Sequence, residues 1–132
     1  MTTSTAPSPS RFRTIGFWVL KIVVALLFLA TASFKFVGAP DAVAEFNQIG
    51  LGQWFRYLTG VAEAGGAILL LIPGTAGFGA VILLGVSVGA FLAQAFALHM
   101  DVIHTLVLIL VTGGLVWVSR DQIFARLGLR TA

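Results

Sequence analysis

Residues 54–72, WFRYLTGVAEAGGAILLLI, are long enough to cross a bilayer as one helix, yet they carry Arg56 and Glu63. At a rise of about 1.5 Å per residue the stretch measures about 28 Å, close to the hydrocarbon core of about 30 Å. Winding it at helical spacing gathers Arg56, Thr59, Gly60, Glu63, Gly66 and Ala67 on one stripe made only of polar and small side chains. Such a stripe cannot face lipid, so the stretch predicts a helix packed among other helices. Glu63 falls about 13 Å from Trp54 along the axis, at a depth where a carboxylate has to be paired, hydrated or protonated.

Three further apolar runs flank it, at residues 15–36, 76–98 and 102–119. None alternates polar and apolar residues as a barrel strand does, and backbone in lipid has to satisfy its own hydrogen bonds. The expected fold is therefore all-α: an integral membrane four-helix bundle of up-down topology over residues 15–119. Between the first two runs, Pro40 opens a short segment with Asp41 and Glu45 four apart and Val43, Phe46 and Ile49 at about one-turn spacing. That pattern predicts a short interfacial helix. Pro73-Gly74-Thr75 predicts a tight helical hairpin, and Asp101 is placed to cap the last helix. Trp18, Trp54, Tyr57 and Trp117 lie near helix ends, where aromatic belts form.

Composition agrees with this frame. The 132 residues are 58% hydrophobic and 10% charged, with a mean hydropathy of +1.02, far from the roughly 25% charged residues of soluble domains. The net charge of +3 does not point to nucleic acid, because the arginines other than Arg56 lie at the two ends of the chain and form no single patch. Arg11, Arg13 and Lys21 precede or open the first helix, and Arg120, Arg126 and Arg130 follow the last, so both termini are expected in the cytoplasm. Residues 1–14, rich in Ser, Thr and Pro, read as a disordered cytoplasmic tail, and residues 120–132 as a cytoplasmic basic tail. Ala30-Thr31-Ala32 resembles a signal-peptide cleavage site, but the apolar run continues to Phe36 and Lys21 interrupts it. Usage rich in Arg, Ala, Gly and Val resembles that of high-GC bacteria, which suggests the bacterial cytoplasmic membrane. The absence of cysteine excludes thiol exchange and thiolate metal sites within the chain.

The candidate ligand-binding residues are Glu63, Lys35, Gln94, His104 and Arg56; no metal site and no catalytic residue is assigned. Glu63 either bonds a neighbouring helix as packing glue or lines a polar cavity, and its glycine neighbours suit both. Lys35 and Arg56 either snorkel to the head groups or join the site. Gln94 suits an interhelical hydrogen bond, and His104 opens the last helix. His99 and His104 flank one short loop without a haem attachment motif, which argues against haem. Gly85 and Gly89, followed by Ala93, form a small-residue ridge suited to packing within the bundle or to a homodimer. Depth counting separates Lys35 from Glu63 by about 10 Å. The two are thus expected to share a hydrated cavity, with Gln94 or His104 between them, and not to form a direct ion pair.

Residues 15–119 resemble the DoxX-like family of small bacterial four-helix membrane proteins. The resemblance is carried by "ATASFKFVGAP", "NQIGLGQWFRYLTG" and "GVAEAGGAILLLIPG". It implies that Lys35 and Glu63 are the family's recurrent charged positions. It also implies a small subunit or ligand-binding module beside membrane or peripheral oxidoreductase subunits. Two alternatives accompany that expectation. One is a quinone-binding oxidoreductase component, with Lys35, Gln94 or His104 donating to the quinone carbonyls and Glu63 handling protons. The other is a small proton-coupled transporter, for which no internal repeat is visible.

Overall fold

The computed structural model describes residues 9–99 and 101–128, and every regular element among them is helical. In chain order these are α1 (Pro9–Val37), α2 (Pro40–Ile49), α3 (Gln53–Leu71), α4 (Ala76–Leu92), a π-helical turn (Ala93–Leu98), α5 (Ile103–Val118) and α6 (Arg120–Arg126). Two helical stretches, Arg11–Val37 and Ala76–Leu98, are long and apolar enough to cross a membrane. α5 is apolar but shorter, and α3 carries Arg56 and Glu63 within its 19 residues.

The boundaries follow local chemistry. α1 begins at Pro9, upstream of the expected start at Ile15, since proline's fixed φ suits a first helical turn. Residues 9–14 thus belong to α1, while residues 1–8 lie outside the described residues. Gly38 (φ 71°) ends α1 and Gly50 (φ 86°) ends α2, both in the left-handed region that side chains avoid. Ala39 and Ile72, each just outside a helix and directly before a proline, are extended, because the ring of the next residue imposes this. The Asp101 carboxylate accepts from the Ile103 N–H at 2.9 Å, but the N-cap of α5 is Val102, one residue later than expected. Arg120–Arg126 forms α6 where a tail was expected, and Arg130 lies outside the described residues.

The long helices pack in the order α1, α3, α4, α5, and among the described residues α1 makes no close backbone approach to α4 or α5. Their common core joins Val24, Ala25 and Phe28 of α1 to Ala67 and Leu70 of α3, Ala80 and Leu83 of α4, and Leu115 of α5. The tightest crossing is α3 on α4. A Cβ added at Gly79 would lie 2.5 Å from both the Gly66 carbonyl oxygen and the Leu70 nitrogen, so only glycine permits this approach. Outside the core the surface is apolar, with Leu26 59%, Phe96 74% and Leu110 74% exposed. A protein covered by large apolar side chains requires a lipid or protein partner there.

The candidate functional site

The polar stripe of α3 does face inward: Arg56, Gly60, Glu63, Gly66 and Ala67 are all buried. Gly60 brings α1 close, since a Cβ there would meet Phe36 Cζ at 3.2 Å and Lys35 Cβ at 3.4 Å. Lys35 is thereby level with Gly60, one turn above Glu63, and its four-carbon stem covers the remaining height. Lys35 Nζ lies 2.9 Å from Glu63 Oε1, a direct ion pair that corrects the depth-based expectation. That count set the outer ends of α1 and α3 at one height. In the fold α3 begins higher, so about two turns from Gln53 to Gly60 overtop Lys35.

Glu63 has a second partner that sequence reasoning missed. Thr31 Oγ1 lies 2.8 Å from Glu63 Oε2 and 2.9 Å from the Phe28 carbonyl. Its single proton serves one acceptor at a time, and an ionised carboxylate is the stronger one. The available signal was spacing, because Thr31 precedes Lys35 by four residues and so shares its face of α1. Both carboxylate oxygens of Glu63 are thus engaged from α1, which compensates a side chain only 6% exposed.

Arg56 is not part of the same constellation. Its Nη1 donates to the Lys35 carbonyl, its Nε donates to Gln53 Oε1 at 2.7 Å, and its guanidinium lies 4.3 Å from the centre of the Tyr57 ring. It closes the C-terminal end of α1, where helix carbonyls lack intrahelical donors. Gln94 and His104 do not bridge Lys35 to Glu63 either. They bond each other, Nε2 to Nε2 at 3.1 Å, and leave Gln94 Oε1 buried without a partner among the described residues.

On the α2 side of the Gly66–Gly79 crossing, the space between α3 and α4 forms a cavity of about 460 Å³. Phe55, Leu58 and Ala62 line its α3 wall, and Ile82, Gly85, Val86 and Gly89 its α4 wall. Gly85 and Gly89 therefore border this cavity, as does Ala93, and a Cβ at either glycine would meet nothing within 4 Å. The ridge does not pack within the bundle, one of its two expected roles, and faces open space. α2 roofs the cavity with Glu45, Phe46 and Ile49. It is held there by Gln48 Nε2 donating to the Ala97 carbonyl at 3.1 Å and Gln53 Nε2 donating to the Val43 carbonyl at 3.1 Å. Lys35, Glu63, Thr59 and Gln94 complete the polar lining, and a second cavity of about 450 Å³ on the α1 side shares Lys35, Glu45 and Phe46. Of the candidate residues, the structure brings Lys35, Glu63 and Gln94 to one cavity and leaves Arg56 outside its lining.

An enclosed carboxylate–ammonium pair beside an apolar cavity can orient the polar end of a small molecule whose body fills the rest. No curated protein and no solved structure is significantly similar to the chain. The model of the DoxX-like family matches residues 19–119, a span that holds Thr31, Lys35, Glu63 and the whole cavity, and the chain belongs to that family of membrane proteins.

Proposed function

We propose that the protein is a ligand-binding module of the bacterial cytoplasmic membrane that holds an amphipathic small molecule between α3 and α4, as a small subunit beside a membrane redox system. In this reading α1, α3, α4 with its π-helical turn, and α5 all span the bilayer as an up-down bundle, with both termini cytoplasmic and α2 at the outer interface. The observation that carries the proposal is the cavity of about 460 Å³, which falls in the range of small-molecule sites and combines apolar walls with few polar groups. The exposed Gly85 and Gly89 give it a side opening toward lipid, which suits a ligand that partitions into the bilayer.

Two experiments test this. The protein is purified in gentle detergent and its bound small molecules are identified by mass spectrometry, alongside Gly89→Leu, which puts a side chain into open space. One class of molecule retained by the parent and lost from the variant is the expected result; identical profiles refute the site. Reporter fusions at both termini should report cytoplasm, and a C-terminal reporter active outside would refute four crossings.

A quinone is the second reading, favoured by one observation. Lys35 uses one N–H on Glu63 and has no other acceptor among the described residues, which leaves donors for a carbonyl.

A further inference from the structure

Deepening the ligand-binding reading and resting on it, we infer that the cavity selects a lipophilic cation, a molecule with an apolar body and a protonated amine. The polar groups of its lining are unbalanced. Lys35 is the only cationic side chain there, against two carboxylates, Glu45 and Glu63. Lys35 offsets the charge of Glu63 at 2.9 Å and, among the described residues, keeps two N–H groups free. That leaves Glu45, which has no ion pair or hydrogen bond among the described residues and hangs from α2 into the roof. Gln94 Oε1 is the second unmet acceptor, buried in the opposite wall while its Nε2 is occupied by His104. Thr59 offers little as a donor, because its hydroxyl already bonds the Phe55 carbonyl at 2.8 Å.

Besides the free N–H groups of Lys35, the unmet capacity of the site is one net negative charge plus a neutral acceptor, which an ammonium answers with its charge and its N–H groups together. A quinone offers only acceptors: it answers the free N–H groups of Lys35 but leaves the charge of the half-buried Glu45 and the buried Gln94 Oε1 unmet. The body of the ligand lies along Phe55, Leu58, Ile82 and Val86, and the exposed glycines of α4 admit it from the bilayer.

The test uses the full chain in phosphatidylcholine nanodiscs at neutral pH, with empty nanodiscs subtracted. Three probes are titrated calorimetrically: dodecylammonium, its uncharged counterpart dodecanol, and decylubiquinone. Dodecylammonium is expected to bind at least about tenfold more tightly than dodecanol, the size of a charge-assisted hydrogen bond. Glu45→Gln, a change at a side chain without protein partners, should weaken it by about tenfold, and Gly89→Leu should abolish it. Dodecanol or decylubiquinone binding as tightly as the ammonium, with sensitivity to Gly89→Leu retained, overturns the cation preference and leaves the cavity intact. Binding indifferent to Gly89→Leu overturns the cavity reading as well. Absence of saturable dodecylammonium binding overturns the inference outright.

Discussion

Lys35 and Glu63 stand on different helices, 28 positions apart in sequence, and their charged atoms meet at 2.9 Å beside the cavity. An ion pair with so little water around it is held by mutual compensation. Removing one partner leaves the other charge buried, which costs about 3–5 kcal/mol. Lys35→Met and Glu63→Leu should each lower unfolding free energy in detergent by about that amount, and the double variant should recover most of the loss. Additive single effects in the double-mutant cycle would show that the groups do not interact.

Thr31 supplies the second hydrogen bond to the Glu63 carboxylate, at 2.8 Å. Thr31→Val, close in shape but without the hydroxyl, is expected to cost about 1.5–3 kcal/mol, as for bonds to charged groups. Thr31→Ser should remain within about 1 kcal/mol of the parent, since it keeps the bond and loses only a methyl. Equal melting of the two variants would assign the threonine to packing alone.

The same substitution on α4 should act in opposite directions at two positions. Gly79→Ala places a methyl 2.5 Å from backbone atoms of α3 that cannot move aside, and should cost about 1–3 kcal/mol or more as overpacking. Gly85→Ala meets nothing within 4 Å, so the helix propensity of alanine should stabilise the protein by up to about 1 kcal/mol. Thermal unfolding of the two variants side by side checks the α3–α4 crossing; a tolerated Gly79→Ala would place that crossing elsewhere.

Arg56 uses two nitrogens and its ring-facing plane at once, on the Lys35 carbonyl, Gln53 and Tyr57. Lysine cannot reproduce that planar fork, so Arg56→Lys should lose most of what Arg56→Ala loses, about 2–4 kcal/mol. Because Arg56 is outside the lining of the cavity, ligand affinity per folded molecule should stay near that of the parent. A lysine variant as stable as the parent would reduce Arg56 to a head-group anchor.

What residues 54–72 determined alone was the class of the protein and the inward face of α3. A helix whose stripe from Arg56 to Ala67 is all small and polar side chains, in an apolar chain, has one consistent surrounding, other helices, and local periodicity is enough to see it. The turn at Pro73-Gly74 and the α2 segment after Pro40 were legible for the same reason, since each depends on residues adjacent in the chain. The Lys35–Glu63 pair was not legible at the level of distance, because it depends on how far α3 overtops α1. That offset is set by the contact of Gly60 with Lys35 and Phe36, between residues more than 20 positions apart. The Gly85–Gly89 ridge likewise reads the same in sequence whether it meets a helix or a void. Only the crossing of α3 and α4 at Gly66 and Gly79, with α2 packed over the end beyond it, left open space beside those glycines. Secondary structure follows from neighbours in the chain; the site follows from the relative height and separation of helices, which non-local packing decides.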